Sequence, residues 1–162
     1  MSTRTGIAYD SHRLDASRPL VLGGIHIAEA ARGLTGHSDA DVLTHAVIDA
    51  LLGAAGLGDI GHHFPDTDPH FKDADSIELL REVVATVAAE ALRIVHVDTT
   101  ILMERPKIGP YRDAMRERLA QALGVDVAAV NIKASTGEGL GFVGRLEGAA
   151  ALAVATVEPN AP

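Results

Sequence analysis

The sequence predicts a single α/β (α+β) domain over residues 1–162, in which about five strands form a mixed sheet covered by three helices. Three observations support this fold class. The 162 residues are 47% apolar, which suits one domain with a substantial core. Strand-like alternation occurs at both ends of the chain, and helical periodicity lies between them. The order of these elements is not a regular βαβ repeat, and no internal repeat or linker divides the chain.

The N-terminal part of the chain predicts two strands. Thr5 to His12 alternates as a strand does. Pro19 to Ile27 predicts the second strand, with a bend or bulge at Gly23 and Gly24.

Two helices are predicted in the middle of the chain, and each begins at a side chain that can cap it. They run from Ser38 or Asp39 to about Gly56, and from Asp75 to about Leu92. Asp75 followed by Glu78 has the spacing of a capping box. Gly58 to Asp75 is rich in Gly, Pro and Asp and therefore predicts a loop.

The last part of the chain alternates between strand and helix. The predicted elements are a strand from Val95 to Met103, a helix from Pro110 to Leu123, a strand from Val130 to Thr136, a Gly-rich loop from Gly137 to Gly144, and a strand from Glu147 to Glu158. Pro110 in the first turn and Gly124 after the end delimit the helix. Pro159 to Pro162 predicts a frayed tail.

Composition excludes several classes of function. A net charge of −8 argues against a nucleic-acid partner, which would require clustered Lys and Arg. Without Cys, the chain has no disulfide and no thiolate metal site, so any zinc must be bound by His and carboxylates. No stretch approaches the roughly 18 apolar residues of a membrane span, and Met1 to Asp10 lacks a signal-peptide run. We therefore expect a cytoplasmic protein with no membrane partner.

Two segments together predict a metal site. Asp10 and His12 project from the same face of a strand, as two ligands of one ion or as an exposed polar strand end. The first helix carries a polar stripe without Lys, Arg or Glu, formed by Ser38, Asp41, His45 and Asp49. His45 is therefore either a hydrogen-bonded core residue or a third ligand. Three ligands would leave the open position typical of catalytic zinc, and the aspartates of the stripe would orient the histidines.

Two loops carry weaker signals. Phe64 to Asp68 is acidic, but Asp and Pro also favour turns, and His62 and His63 are interpreted as loop residues. Ser135 to Arg145 is Gly-rich and suits phosphate binding, yet it is neither a P-loop nor a Rossmann turn. Glu138 in this loop would repel phosphate unless a divalent ion lay between them, whereas Arg145 supplies positive charge directly. A flexible hairpin loop is the alternative.

Six motifs in order resemble the 2-C-methyl-D-erythritol 2,4-cyclodiphosphate synthase family of the non-mevalonate isoprenoid pathway. The resemblance extends from about Gly6 to Val157. The motifs are D-S-H at Asp10, G-H-S-D-A-D-V-L-T-H from Gly36, D-A-L-L-G-A-A-G-L-G-D-I-G from Asp49, F-P-D-T-D-P from Phe64, R-P-K at Arg105, and S-T-G-E-G-L-G-F-V-G-R-L-E-G from Ser135. Gly137 and Gly139 depart from the family pattern, which has Thr or Asn at the first position and Lys in some members at the second.

The resemblance implies a role for each matching residue. It implies one Zn²⁺ per subunit on Asp10, His12 and His45, and a second divalent ion, Mg²⁺ or Mn²⁺, at Glu138. His37 and Thr136 would stabilise the transition state. The residues implied to hold the methylerythritol phosphate are Ser38, Asp59, Gly61, Phe64, Asp66 and Asp68. The cytidine pocket would lie between Met103 and Gly109 and include Pro106 and Lys107, and further substrate contacts would come from Ser135, Phe142 and Arg145.

The resemblance also implies helices on one side of the sheet and a homotrimer with sites at subunit boundaries. The implied reaction converts 4-diphosphocytidyl-2-C-methyl-D-erythritol 2-phosphate to the cyclic diphosphate and releases CMP. Two alternatives stay open. One is a zinc-dependent phosphodiesterase acting on a nucleotide diphosphate, and the other is a trimeric protein that only binds a nucleotide or lipid phosphate.

Overall fold

The computed structural model describes residues 2–160. Its strands are β1 (Arg4–Asp15), β2 (Val21–Leu22), β3 (Ile25–His26), β4 (Gly33–Leu34), β5 (Leu92–Leu102), β6 (Val130–Ser135) and β7 (Gly148–Pro159). Its helices are α1 (Val42–Ala55), α2 (Ile60–His63), α3 (Ser76–Ala89), α4 (Arg112–Leu123) and α5 (Gly141–Gly144). Single turns of 3-10 helix occur at Pro69–Phe71, Gly109–Tyr111 and Val127–Ala129.

A mixed five-stranded sheet with helices on one side forms the body of the molecule, as predicted. The strand order is β4-β1-β7-β5-β6, with β5 and β6 parallel and the other neighbours antiparallel. Helix α1 packs on β1 and β7, while α3 packs against α1, and α4 lies against β6. None of the helices in residues 2–160 has the length and hydropathy needed to cross a bilayer.

The inner face of the sheet is built from very small side chains. On β7, Ala149, Ala151, Ala153 and Ala155 are at most 1% exposed, and on β1 Gly6 faces α1. A Cβ on Gly6 would overlap the carbonyl oxygen of Ala50 in α1. Helix α1 therefore lies unusually close to β1, and its own inner face is aliphatic and fully buried.

The prediction of one second strand from Pro19 to Ile27 is wrong. Pro19 to Ile27 contains two short strands, β2 and β3, which pair with each other in a separate two-stranded sheet. Gly23 and Gly24 have φ of 55° and 72°, and two consecutive positive values make a tight hairpin turn rather than a bulge. The fifth strand of the main sheet is instead β4, which is only two residues long.

Several boundaries also differ from the prediction. Helix α1 begins after Asp41, whose side chain caps it, rather than after Ser38 or Asp39. Asp75 caps α3 as expected, but Leu92 already belongs to β5. Strand β7 extends to Pro159, the first residue of the predicted tail, and Asn160 donates a backbone hydrogen bond to Ala91. Ala161 and Pro162 lie outside the described residues.

Candidate metal centre and substrate clefts

Asp10, His12 and His45 converge on a single point between β1 and α1. Asp10 Oδ2 lies 2.9 Å from His12 Nε2 and 3.2 Å from His45 Nδ1, and the two nitrogens are 3.1 Å apart. Bond lengths of about 2.0–2.1 Å to a tetrahedral zinc place ligand atoms roughly 3.3 Å apart. The three atoms therefore fit one zinc ion after a small expansion. Among residues 2–160, this is the one group of three or more such side chains with metal-site spacing.

The local structure explains why these three side chains meet. Asp10 and His12 occupy alternate positions of β1 and face α1, as the strand period requires. Their partners across the sheet are Ala151 and Ala149, which leave space for the ligand side chains. His45 lies in the first turn of α1, and its backbone N–H donates to Asp41 at the N-cap.

The outer nitrogens of both imidazoles have hydrogen-bond partners. His12 Nδ1 donates to the carbonyl oxygen of Thr35 at 2.8 Å. His45 Nε2 lies 2.8 Å from Ser76 Oγ and 3.0 Å from Ser38 Oγ. With protons on these outer nitrogens, the inner nitrogens of both neutral rings point lone pairs at the carboxylate of Asp10. Two lone pairs and a carboxylate repel one another unless a cation lies between them, so this donor set is suited to a metal ion.

The pKa values of the triad reflect the same geometry. Burial opposes the charge on Asp10, but its interactions with the His12 and His45 rings hold its pKa well below the usual value. Burial also opposes charge on His12, yet its hydrogen bond with Asp10 raises its pKa above 6.5. A proton on His12 therefore takes the place that a cation would fill.

One cleft, of about 470 Å³, brings the triad together with several predicted substrate residues. His37, Ser38, Gly61, Phe64 and Asp66 line it beside the three metal-site residues. Phe64 and Phe71 form an edge-to-face pair at a centroid distance of 5.3 Å. The candidate metal site therefore lies open to a cleft that is lined by both polar groups and aromatic rings.

A second cleft, of about 380 Å³, collects the predicted nucleotide residues. It is lined by Met103, Pro106, Lys107, Gly109, Ser135 and Thr136, together with parts of α4 and β6. It lies where the parallel strands β5 and β6 both end, so the two segments become neighbours despite their separation in sequence. The two clefts share no lining residue.

Five predicted site residues line neither of these clefts. Asp59 caps α2 through His62 N, and Asp68 accepts from His70 N, which is ordinary turn chemistry. Glu138 accepts from Thr136 Oγ1 at 2.8 Å, and Arg145 pairs with Glu147 at 2.9 Å. Phe142 lines a small separate cavity beside His12.

The first N–H groups of the Gly-rich loop donate hydrogen bonds to acceptors within the protein. Gly137 N donates to the carboxylate of Glu104 at 2.6 Å, Glu138 N donates to Thr136 Oγ1, and Leu140 N donates to Gly137 O. These N–H groups are therefore not available to a phosphate. Glu104 was not among the predicted site residues, although it lies inside the segment predicted to form the cytidine pocket.

The prediction that the stripe aspartates orient the histidines is wrong. Asp41 is fully buried and binds Gly23 N, Gly24 N and Thr44, while Asp49 accepts from Ile60 N. The outer nitrogens of the two histidines instead contact the Thr35 carbonyl, Ser76 and Ser38. Nothing in the local sequence distinguishes Ser76 from any other first residue of a helix.

Comparison with known proteins identifies the family. The YgbB family model matches residues 3–158. The curated 2-C-methyl-D-erythritol 2,4-cyclodiphosphate synthase of Symbiobacterium thermophilum is 60% identical over 152 residues, which cover 94% of this chain and 96% of that relative.

Solved structures show the same fold. A 2-C-methyl-D-erythritol 2,4-cyclodiphosphate synthase in a CDP-bound form superposes with a TM-score of 0.87 at 37% identity, covering 96% of this chain and all of that one. The bifunctional IspDF from Campylobacter jejuni superposes with a TM-score of 0.93 at 41% identity, covering 97% of this chain but only 42% of that longer protein.

Proposed function

The chain belongs to the YgbB family of 2-C-methyl-D-erythritol 2,4-cyclodiphosphate synthases, and from this premise we propose that it catalyses the family's reaction. The substrate is 4-diphosphocytidyl-2-C-methyl-D-erythritol 2-phosphate. An oxygen of the 2-phosphate attacks the β-phosphorus and forms a new P–O bond. The bond between that phosphorus and the bridging oxygen breaks, and the oxygen leaves with CMP. The enzyme is thus a phosphorus–oxygen lyase.

The convergence of Asp10, His12 and His45 at the wall of a cleft is the observation that supports this proposal most strongly. When bound there, zinc would supply Lewis-acid polarisation of a phosphate oxygen at its open position. The triad needs no side-chain nucleophile beside it, because phosphoryl transfer depends mainly on positioning and charge stabilisation. Glu138 would hold a second divalent ion, Mg²⁺ or Mn²⁺, at the diphosphate.

The remaining predicted site residues bind and orient the substrate. His37 lies in the metal-site cleft, where its ring donates to the Asp68 carbonyl at 2.9 Å, so its orientation is fixed before a substrate arrives. Ser38 and Asp66 would bind the methylerythritol phosphate in the same cleft. Thr136 and Lys107 line the second cleft and would contact the diphosphate and the nucleotide.

We propose a homotrimer because the two clefts of one chain are separate and because one sheet face lacks a cover. Ile7, Tyr9 and Leu152 are 74%, 53% and 37% exposed on the face of the sheet opposite the helices. Tyr9 and Leu152 are direct cross-strand partners, so they form one continuous apolar surface. We propose that, in this trimer, the metal-site cleft of one subunit lies next to the second cleft of its neighbour.

Product analysis tests the reaction directly. The purified protein is incubated with the substrate, zinc and magnesium, and the products are followed by phosphorus NMR and by chromatography of CMP. We expect one cyclic diphosphate per CMP released. A linear monophosphate product would instead favour the zinc-dependent phosphodiesterase, for which the same open coordination position would hold a water molecule. Absence of CMP would favour a binding protein without catalysis.

The metal requirement is tested separately with His45→Ala. This variant removes one of three ligands, so zinc content should fall from one per subunit to near zero, and CMP release should stop. The matched control is His26→Ala, because His26 is an exposed histidine in β3 away from both clefts. A His45→Ala protein that retains zinc and activity would refute the assignment.

A further inference from the structure

The environment of His45 Nε2 contains two serine hydroxyls that differ in their own partners. Ser76 Oγ, at 2.8 Å, is fully buried at the start of α3, and Ser38 Oγ, at 3.0 Å, lies at the wall of the metal-site cleft. A ring nitrogen with both hydroxyls close by can be either a donor or an acceptor. The partners of the hydroxyls decide which it is.

The hydroxyl of Ser76 donates its proton elsewhere. It makes a short hydrogen bond to Asp39 Oδ1, and the backbone N–H of Ser76 donates to Asp39 Oδ2 at 2.9 Å. Asp39 therefore accepts two hydrogen bonds from one residue. A hydroxyl that donates to a carboxylate can offer only a lone pair to His45 Nε2, so the proton between them belongs to the ring.

We infer that Ser76 and Asp39 are positioning residues of the metal centre, linked in a chain from Asp39 through Ser76 to His45. This inference rests on the proposed metal site. These hydrogen bonds keep the proton of His45 on Nε2 and turn Nδ1 toward Asp10 and His12. They also make Nδ1 a better metal ligand. The same hydrogen bonds tie α3 to α1 at the third ligand, so the position of the metal depends on a helix that supplies no ligand.

Ser38 has a different role although it touches the same nitrogen. Its hydroxyl oxygen also lies 3.5 Å from Ala40 N, a donor, and the hydrogen bonds within residues 2–160 give its own proton no acceptor other than the ring. Because Ser76 already accepts the ring proton, the Ser38 proton stays available to an anion in the cleft. The two serines thus have different roles: Ser76 orients His45, and Ser38 contacts the substrate.

Zinc affinity, measured by competition with a chelating dye at fixed pH, tests this inference without relying on turnover. The proteins are wild type, Ser76→Ala, Asp39→Asn, the double variant, and Ser38→Ala as the matched control. Loss of an outer partner of a metal-bound histidine typically weakens metal binding about 10- to 100-fold. We expect this loss of zinc affinity in both single variants. The affinity of the double variant should lie within about threefold of that of the weaker-binding single variant, because the effects of residues in one hydrogen-bond network are not additive.

A spectroscopic measurement separates this role from general stability. In the zinc-loaded protein, the Nε2 proton of His45 should give a slowly exchanging NMR signal. Ser76→Ala and Asp39→Asn should speed its exchange with water, whereas Ser38→Ala should leave it slow and should raise KM. Thermal unfolding of the metal-free variants checks that each protein is folded. If Ser76→Ala does not fold, the exchange rate of the His45 Nε2 proton in Asp39→Asn tests the inference instead.

The inference fails if Ser76→Ala binds zinc within about threefold of wild type, or if the two single effects multiply in the double variant. It also fails if wild type binds no zinc. A wild-type protein that binds zinc but releases no CMP would refute the proposed reaction while leaving the role of Ser76 and Asp39 intact.

Discussion

The carboxylate of Asp41 accepts a 2.7 Å hydrogen bond from the backbone N–H of Gly24, which joins the β2–β3 hairpin to the first turn of α1. The other oxygen accepts from Gly23 N at 2.9 Å and from Thr44 N at 3.0 Å. Burial raises the pKa of Asp41. These contacts hold the start of the helix that carries His45.

Replacement of Asp41 by Ala should lower the free energy of unfolding by about 3–7 kcal/mol. The loss combines a helix cap, about 1 kcal/mol, with buried N–H groups left without an acceptor, about 1–3 kcal/mol each. Urea denaturation of the metal-free protein measures it. Asp126→Ala is the control, because Asp126 also caps a helical turn but is exposed, and it should lose far less. Equal losses in both variants would contradict the role assigned to Asp41.

Zinc binding should weaken as the pH falls, because zinc must displace the proton of His12. Its raised pKa means that the proton is bound at a higher pH than in a free histidine. Below that pKa, the apparent affinity should fall about tenfold per pH unit for one displaced proton. Asp10, with a lowered pKa, does not compete in this range. Chelator competition at several values between about pH 5.5 and 8.5 would measure the slope. A flat profile would contradict proton displacement.

The metal-free protein should show the opposite trend in stability. The folded-state pKa of His12 lies above its unfolded value of 6.5, so its pairing with Asp10 stabilises the fold fully below pH 6.5. This contribution is lost as the pH rises through the folded-state pKa. Denaturation midpoints at several pH values should show the decline in wild type and not in His12→Gln.

Replacement of Glu104 by Ala should loosen the loop that carries Thr136 and Glu138. The Glu104 carboxylate is the acceptor for Gly137 N, and Glu138 has an unfavourable φ of 52°, which neighbouring contacts must hold. We expect a raised KM and weaker activation by Mn²⁺, with zinc content unchanged. Glu104→Gln, which keeps an acceptor oxygen, should be milder. Equal effects of both changes would point to charge rather than to the hydrogen bond.

Introduction of a charge on the open sheet face should dissociate the proposed trimer. Leu152→Glu places a carboxylate in the apolar surface next to Tyr9 without altering either cleft. Sedimentation velocity should then show monomers that still bind zinc but have lost CMP release. Glu158→Gln, at the far end of the same strand, serves as a control and should remain trimeric. A Leu152→Glu protein that is monomeric and fully active would show that one chain forms a complete site.

Sequence patterns were sufficient to select the three residues of the candidate metal site, but not to identify their neighbours. Asp10 and His12 are predictable because a strand repeats every two residues, and His45 because it belongs to a polar stripe on a helix. Ser76 was missed because its place beside His45 depends on how α3 packs against α1. Strand β4 is missed because two residues carry no periodicity. The sequence predicts a bend or bulge at Gly23 and Gly24, although consecutive glycines also favour a tight hairpin turn.

The absent side chain at Gly6 determines how much of this core can be altered. Helix α1 packs directly on the β1 backbone at Gly6, and no space is left for a side chain. An added methyl group would therefore push the two elements apart. Asp10 and His12 lie on one side of this contact and His45 on the other. The geometry of the candidate metal site therefore depends on a backbone separation several residues away. A substitution that widened this separation would move the three side chains apart without replacing any of them.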